Sequence, residues 1–573
     1  MKNNDTMHRK AYVARFYRGN YPPYIAMLLA AGLFSALNLS VSWLLQQIID
    51  AVSRVPGAME LSTLTELTSA AVLLIVPLKA VTYAAKPSFM KRAMTQFKNF
   101  AFQKLMKKSI ASFRSEATSV YLSAFSNDLA TVETDYLEVQ YELVFNIVFA
   151  LGAIMLMLTY HPALTLVALC FCLLPLAVSS VAGSHFEKAQ RAVSEKNAGF
   201  VAALKNVLSG FSVVKSFRAE DAAIHQLEQN SAAVESAKAK KRRVAEVLSC
   251  IGGIAGISAQ LGTFLVGAYW ALSGSHITPG VLTVFMDLTA AVINPIRDMP
   301  EMLAKRKAAL ALVDKMASAL ESNIRDEGED ISRELHDGIS IQHLRFGYAA
   351  DREILHDIDL RFESGKSYAI VGNSGSGKST LLNLLMASRH DYEGAILFDG
   401  TELRGISSRS LYETVSMIEQ DVFVFNASIR DNITMFRDFP AEDVDRAIAL
   451  SGLKELITEH GENYLCGENG AGLSGGEKQR ISIARSLLQK TSVLLADEVT
   501  SSLDAQTAYQ VVSDLPRLRG ITRIVVTHTL IESLLKQYDG IIALKEGRVV
   551  ESGTFDELTK RKGYFYALFT VAQ

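Results

Sequence analysis

The chain has 573 residues, which is too long for one ordinary domain and predicts two or more. Hydrophobic residues make up 49% of it and the mean hydropathy is +0.17, which is high for a soluble protein of this size. The formal net charge is only −2 at pH 7, so the composition gives no indication of a nucleic-acid partner.

Six apolar segments in the first half of the chain are candidates for membrane-spanning helices. A helix needs about 20 mainly apolar residues to cross a bilayer. The second segment is the weakest candidate, because Pro77 and Lys79 interrupt it. The sequence therefore predicts an all-α, six-helix transmembrane domain over residues 21–320, with spans at residues 24–46, 67–84, 143–160, 163–182, 247–272 and 277–296.

The distribution of basic residues predicts the orientation of these spans. The short connections between spans contain a single Lys or Arg, Arg54, whereas the two long connections contain KRAMTQFKNFAFQKLMKK and KAKKRR. Because basic loops stay on the cytosolic side, we expect the long connections and both termini in the cytosol. Residues 1–20 then form a cytosolic N-terminal segment, which is either an amphipathic helix on the membrane surface or a frayed basic tail.

The last part of the chain reads as a soluble α/β domain. Residues 321–335 contain the acidic stretch NIRDEGEDISRE and are predicted to be a linker. Residues 336–573 then alternate short apolar strands with polar helices. Within them the strand KSYAIVG leads directly into GNSGSGKST and then into a helix, which is the context that a phosphate-binding P-loop requires.

The residue types of this loop suit nucleotide binding. Gly372, Gly375 and Gly377 allow the backbone to bend so that its N–H groups point at phosphate oxygens. Lys378 would place a positive charge on the β- and γ-phosphates, and the hydroxyl of Ser379 would bind Mg²⁺.

A second motif, SVLLADEVTSSLD, is an apolar strand that ends in two carboxylates. An all-apolar strand is typical of a buried parallel sheet. Asp497 would then bind Mg²⁺, and Glu498 would polarise the water that attacks the γ-phosphate. The alternative is an acidic strand end that only caps a helix.

The stretch LSGGEKQR, at residues 473–480, resembles the signature motif of ATP-binding cassette proteins. Further stretches resemble the same family: FGY, IEQDVFVFNASIRDNI, SSLD and VVTHTL. They place Tyr348, Gln420, Asp504 and His528 where the family has its adenine-stacking ring, Q-loop glutamine, D-loop aspartate and switch histidine. With six spans ahead of this domain, the whole chain resembles a half-transporter of the exporter-type fold.

The resemblance implies ATP and Mg²⁺ as ligands and a dimer as the working unit. In the family, each ATP lies between the P-loop of one cassette and the signature motif of the other. Catalysis is implied for Glu498 and His528, and Mg²⁺ binding for Ser379, Gln420 and Asp497. The other implied nucleotide contacts are Tyr348, Gly372, Asn373, Ser374, Gly375, Ser376, Gly377, Lys378, Thr380, Ser474, Gly475, Gly476, Glu477 and Asp504.

Two charged residues lie within predicted spans, where an ionisable side chain costs several kcal/mol and is a candidate for function. Asp287 is in the sixth span and Lys79 is in the second, at comparable depths. They could form a structural ion pair, reach the membrane surface separately, or line a substrate cavity.

Three functions agree with these features. The chain could be half of an ATP-driven exporter of a small amphipathic molecule, a lipid or a peptide. It could be half of an importer, because some exporter-fold pairs resemble siderophore importers, or its cassette could gate a channel. Intact hydrolytic residues favour transport over gating, because a gate can work on binding alone. A homodimer and a heterodimer both remain possible, and a bacterial plasma membrane is the expected location.

Overall fold

The computed structural model describes residues 2–114, 116, 118–321, 328–349, 352–498 and 520–572. The chain divides into two compact units. The first comprises Met1–Lys104 and Thr118–Glu321, and the second comprises Leu105–Ala117 and Ser322–Gln573. The segment Leu105–Ala117 therefore groups with the second unit, although the expected boundaries place it within the transmembrane domain.

Helices build the first unit, and most of them are long. Two π-helical turns, Ala124–Asp128 and Glu133–Glu138, flank α6 in the run that leads into α7. The helices up to residue 321 are α1 (Lys2–Tyr17), α2 (Tyr21–Val52), α3 (Leu61–Met106), α4 (Ile110–Arg114), α5 (Thr118–Ser123), α6 (Leu129–Val132), α7 (Val139–Tyr160), α8 (Pro162–Ser209), α9 (Phe211–Ser216), α10 (Glu220–Leu272) and α11 (Pro279–Glu321).

The six expected spans fall on these helices, and only the sixth begins outside one, two residues before α11. By length and composition, α2, α3, the run Val120–Tyr160, α10 and α11 are able to cross a membrane. The shorter apolar segment Pro162–Ala177, at the start of α8, corresponds to the fourth expected span. Helix α10 has 53 residues, which is about 80 Å at 1.5 Å per residue and more than twice the hydrocarbon core of a bilayer. The long helices therefore continue well beyond the membrane.

Helix α11 lies at the centre of the first unit, where it contacts α2, α7, α8 and α10. Its buried Phe285 and Leu288 belong to one apolar cluster with Met157 of α7 and Leu164 of α8. A Cβ at Gly256 of α10 would lie 3.3 Å from the side chain of Ile293, so glycine allows α10 and α11 to approach closely.

The N-terminal segment is a helix, and several of its side chains from Arg9 onward contact other helices. Phe16 stacks on Phe97 of α3 with ring centroids 4.3 Å apart. Tyr12 is buried and its hydroxyl donates to Glu321 at 3.1 Å. The segment is therefore a helix packed on other helices and not a frayed tail.

Two β-sheets form the frame of the second unit. Its strands are β1 (Gly338–Ala349), β2 (Arg352–Glu363), β3 (Ser367–Val371), β4 (Glu393–Phe398), β5 (Thr401–Glu402), β6 (Val415–Ile418), β7 (Val493–Asp497), β8 (Thr522–Val526), β9 (Gly540–Lys545) and β10 (Arg548–Gly553). The antiparallel sheet has the order β2–β1–β4–β5, and the mainly parallel sheet has the order β10–β9–β3–β8–β7–β6. Strands β3, β7 and β8 are buried along their whole length, as the centre of a parallel sheet requires.

The helices of the second unit surround these sheets. They are α12 (Lys378–Leu385), α13 (Ser408–Thr414), α14 (Ile429–Thr434), α15 (Ala441–Leu450), α16 (Lys454–His460), α17 (Gly475–Gln489), α18 (Glu532–Leu535), α19 (Phe555–Arg561) and α20 (Tyr564–Ala572). Because β3, β8 and β7 are parallel neighbours, their carboxyl ends meet at one edge of the sheet, where ligands bind in such folds.

Candidate functional site

The P-loop joins β3 to α12 and depends on glycine at two positions. Gly372 has φ +154° and Gly377 has φ +99°. A Cβ at Gly372 would lie 2.2 Å from the carbonyl oxygen of Leu544, and one at Gly377 would lie 2.6 Å from the side chain of Leu355. The loop is therefore folded so closely on the sheet that side chains are excluded, which leaves its backbone N–H groups available for phosphate.

Lys378 begins α12, and its side chain folds back onto the loop. Its Nζ donates to the carbonyl oxygens of Gly372 and Asn373, both at 2.9 Å. Burial lowers the pKa of Lys378, while the carboxylates of Glu498 and Asp497 oppose that shift. The ammonium group is thus kept inside the loop, where phosphate oxygens are expected.

Ser379 and Asp497, which the sequence predicts as Mg²⁺ ligands, lie together. The Ser379 hydroxyl donates to Asp497 Oδ1 at 3.1 Å, which joins the P-loop to the end of β7. Burial raises the pKa of Asp497, and the hydrogen bond from Ser379 opposes this effect. Mg²⁺ prefers hard oxygen ligands, and a hydroxyl beside a carboxylate supplies them, so these two residues fit a Mg²⁺ site.

Glu498 is held from two sides. Gln420 Nε2 donates to one carboxylate oxygen at 2.8 Å, and His528 Nε2 lies 2.8 Å from the other. The backbone of Glu498 has φ +47°, which is uncommon for a residue with a side chain, and its N–H donates to Val526 at the end of β8. The alternative of a carboxylate that only caps a helix does not explain these two side-chain partners, and the three predicted residues form one cluster.

Tyr348 lies at the end of β1 and is 53% exposed. Its hydroxyl is 3.5 Å from Thr380 Oγ1 on α12, and its ring packs edge-on against Phe346 at 5.1 Å. An exposed ring that is fixed from behind and stands beside the P-loop helix is suited to stacking on a base.

The signature motif forms the start of α17. Ser474 and Glu477 make a reciprocal capping box, in which Ser474 Oγ accepts from the Glu477 N–H and the Glu477 carboxylate accepts from the Ser474 N–H. Glu477 therefore has a local partner, whereas Ser474 and Gly475 are exposed. Within the described residues, no hydrogen bond joins the signature motif to the P-loop. Asp504 lies outside the described residues.

Sequence reasoning missed an arginine that fixes the segment after Gln420. Arg485 of α17 donates to the carbonyl oxygen of Asn432 at 2.6 Å, to its side-chain oxygen at 2.7 Å and to the carbonyl oxygen of Phe423 at 2.7 Å. Burial lowers the pKa of this guanidinium. The only sequence signal was an Arg on the mainly apolar face of a helix, which does not identify partners so distant in the chain.

The segment Leu105–Ala117 also lies beside the Q-loop in the second unit. Ile110 lines a cavity of about 390 Å³ together with Phe423 and Phe425. The Arg114 guanidinium is 4.0 Å from the Glu419 carboxylate, directly before Gln420. Part of the first long connection thus lies beside the residue that precedes Gln420.

The two charged residues in the spans do not pair with each other. Asp287 accepts a hydrogen bond from Ser42 of α2, and Lys79 Nζ lies 3.9 Å above the ring of Phe34. Within the described part of the chain, no ion pair involves either residue. Both side chains are exposed at the surface of this single chain.

Helices long enough to cross a membrane, followed by a P-loop, an acidic strand end and a signature helix, define a transporter driven by an ATP-binding cassette. Two family models match the chain: ABC transporter transmembrane region over residues 24–296, and ABC transporter over residues 355–501. The chain therefore belongs to the ABC transporter family. It is an integral membrane protein and an ATPase coupled to transport, and its half-transporter fold implies dimerisation.

Several similar proteins match most of the length of this chain. The chain is 28% identical, over 99% of its length and 100% of the relative, to an ATP-dependent lipid A-core flippase of Desulfotalea psychrophila. It is 29% identical, over 82% of each chain, to a putative multidrug export ATP-binding/permease protein of Bacillus subtilis. A solved bacterial Atm1-family ABC exporter with ATP bound has a TM-score of 0.82 at 23% identity, and the match covers 96% of this chain and 98% of that one. This last likeness shows an exporter fold.

Proposed function

We propose that a dimer of this chain, or this chain with a companion half-transporter, uses ATP hydrolysis to export a small amphipathic molecule or lipid from the cytosolic side of a bacterial plasma membrane. The observation that carries the proposal is the cluster at the sheet edge, where Gln420 and His528 hold Glu498 next to Asp497 and Ser379. A cassette that only bound nucleotide would not need this arrangement.

The residues of the cluster divide the chemistry among them. Glu498 would accept a proton from the attacking water, and His528 would keep the carboxylate oriented. Lys378 and the backbone N–H groups of the P-loop would bind the β- and γ-phosphates. Mg²⁺, held by Ser379, Asp497 and the amide oxygen of Gln420, would neutralise charge on the phosphates.

The exposed start of α17 supports a site shared between two chains. The Ser474 side chain already accepts a hydrogen bond, so its own hydroxyl proton is free to be donated to an anion. Backbone N–H groups at the start of a 15-residue helix add a positive dipole end. We infer that Ser474, Gly475 and Gly476 bind the γ-phosphate of the nucleotide on the partner's P-loop.

The proposed substrate class rests on two supports. The names of the relatives described above are ATP-dependent lipid A-core flippase and putative multidrug export ATP-binding/permease protein. In this chain, Asp287 and Lys79 each expose a charge at membrane depth, and each has a partner on α2, Ser42 and Phe34. A cavity that combines such charges with apolar walls would select a molecule that has both a polar and an apolar part.

The first test is the ATPase activity of the purified chain in lipid nanodiscs, with Glu498→Gln and a matched control. The amide cannot accept the proton, so turnover should fall by roughly a hundredfold or more, the usual size of a general-base contribution. Glu532→Gln removes the same charge from an exposed carboxylate that pairs with Lys536 at 2.7 Å, and it should change turnover by less than twofold. Equal turnover of wild type and Glu498→Gln would contradict the proposed role.

Direction is tested separately, with inside-out membrane vesicles that contain the wild-type or the Glu498→Gln chain. An exporter should accumulate a fluorescent amphipathic probe inside these vesicles when ATP is added, and the variant should not. ATP-dependent loss of preloaded probe from the same vesicles would indicate import and refute the proposed direction.

A further inference from the structure

A polar cavity of about 580 Å³ lies between α1 and the part of α3 that follows its membrane span. Arg15 lines it from α1, and Lys91 and Arg92 line it from α3. Asn99 and Gln103 follow Arg92 at intervals of seven and eleven residues, so these three lie on one face of α3. We call this cavity the α1–α3 pocket.

The charged residues among those that line the α1–α3 pocket are all basic. Among the described residues, those that line it include no Asp or Glu. Two other lysines of α3 have acidic partners, because Lys86 lies 3.6 Å from Glu138 and Lys104 lies 3.0 Å from Glu321. Lys91 and Arg92 have no ion-pair partner within the described part of the chain. Two charges that face one cavity without compensation indicate an anionic ligand.

Hydrogen bonds fix the wall of the pocket before any ligand binds. Asn20 is buried and donates to Gln96 Oε1 at 2.9 Å, and Gln96 Nε2 donates to the carbonyl oxygen of Arg18 at 2.8 Å. The guanidinium of Arg15 lies 4.5 Å from the centre of the Phe100 ring, which orients it. The Arg15 guanidinium, one of the donors that a ligand would meet, is therefore already held in place.

Aromatic residues indicate the depth of the pocket. Tyr17, Tyr24 and Phe89 form a cluster with centroid distances of 5.0 to 6.1 Å, and tyrosines are enriched at the membrane–water interface. Lys91 follows Phe89 by two residues and is about 10 Å beyond the end of the second expected span at residue 84. This is the depth of lipid headgroups. The assignment to the cytosolic leaflet depends on the orientation given in the proposed function, so this inference rests on that function.

We propose that the α1–α3 pocket binds the phosphate-bearing headgroup of an anionic lipid in the cytosolic leaflet. Arg92 and Arg15 would bind phosphate oxygens in pairs, and Lys91 would add a point charge. The amides of Asn99 and Gln103 would bind the polar part of the headgroup beyond the phosphate. A basic loop that only sets topology would need neither a second helix beside it nor a row of amides.

The test measures binding of phosphatidylglycerol to the full chain in a neutral detergent without ATP, by native mass spectrometry over a lipid titration. One basic side chain near a lipid surface contributes about fivefold in binding constant. The double variant Lys91→Gln/Arg92→Gln should therefore weaken binding by roughly twenty- to thirtyfold. The matched double variant Lys98→Gln/Lys107→Gln removes one charge from α3 and one from the residue directly after it, both outside the pocket, and it should change binding by less than threefold.

Each outcome of the lipid-binding test leads to a different conclusion. An equal loss in both double variants would show that only the overall charge of the helix matters and would overturn the site, as would no binding by the wild type. Displacement of the lipid by micromolar glycerol phosphate would show a site for a free phosphate compound and would overturn the lipid assignment.

Asn99→Leu keeps the charge and should weaken binding about fivefold, so the proposal stays testable if the double variant does not fold. Because no ATP is present, a failure here is independent of the ATPase and transport tests.

Discussion

Replacing Gly280 with alanine should loosen the contact between the last turns of α2 and the start of α11. A Cβ at this position would lie 2.3 Å from the carbonyl oxygen of Gln46 and 2.7 Å from Cγ of Asp50. Ordinary van der Waals contact begins at 3.4 Å, and the obstructing oxygen belongs to the backbone of α2. The two helices would therefore have to separate by about 1 Å.

That separation would break a buried network. Asp50 is 4% exposed, and its carboxyl group accepts from Thr278 Oγ1 at 2.7 Å and from the Gly280 N–H at 2.8 Å. Gln46 Nε2 donates to it as well. A hydrogen bond to such a group contributes about 1.5–3 kcal/mol, and overpacking costs about 1–3 kcal/mol. We expect Gly280→Ala to lower the free energy of unfolding by about 3 kcal/mol.

The measurement is the unfolding midpoint of the purified chain in detergent, followed by intrinsic fluorescence. At roughly 2 °C per kcal/mol for a large unit, the midpoint should fall by about 6 °C. The matched control is Gly32→Ala in α2, where a Cβ would meet nothing within 4 Å. That variant should leave the midpoint unchanged or raise it slightly, because alanine is the better helix former. If both variants unfold within 1 °C of each other, the reasoning from close approach is refuted.

Three further predictions concern the nucleotide site and the spans. Tyr348→Ala should raise KM for ATP about tenfold with kcat nearly unchanged, because base stacking contributes about 1–3 kcal/mol. Tyr348→Phe keeps the ring and should leave KM unchanged, and steady-state ATPase assays measure both variants. Asp287→Asn, which alters the partner of Ser42, should change the apparent affinity for transported substrate in vesicle assays, and unchanged transport at equal expression would remove Asp287 from the cavity. Arg485→Lys cannot make the three hydrogen bonds to Asn432 and Phe423, so it should destabilise the chain by about 2–4 kcal/mol in a thermal unfolding assay; a midpoint equal to that of the wild type would contradict this.

Much of the nucleotide site could be predicted because its motifs are local. The spacing of GNSGSGKST brings Lys378 and Ser379 to the start of a helix, and the apolar strand before Asp497 predicts a buried parallel neighbour. Parallel strands then bring their carboxyl ends together, which explains why Ser379 reaches Asp497 and why Glu498 reaches His528. Both pairings can therefore be predicted without detailed knowledge of the tertiary structure.

The contacts between membrane helices could not be predicted in the same way. Depth along a span follows from residue number, but the rotation of each helix about its axis is set by packing. Asp287 and Lys79 have similar depths, yet Asp287 is directed at Ser42 and Lys79 at Phe34. Asp50 and Gly280 are 230 residues apart, and no local pattern joins them.

Helix α11 is held at both of its ends by the helices that begin the chain. Asp50 of α2 accepts from its first turn, and near its other end Asp314 and Glu321 bind Arg9 and Tyr12 of α1. The 43-residue helix is about 65 Å long at 1.5 Å per residue, and the linker follows its last residue directly. A displacement that reaches α11 through the linker therefore cannot move this helix alone without breaking buried hydrogen bonds. A movement that preserves these hydrogen bonds is one in which α1, α2 and α11 shift together. Such a movement would carry Asp287 and Ser42 as a fixed pair during transport.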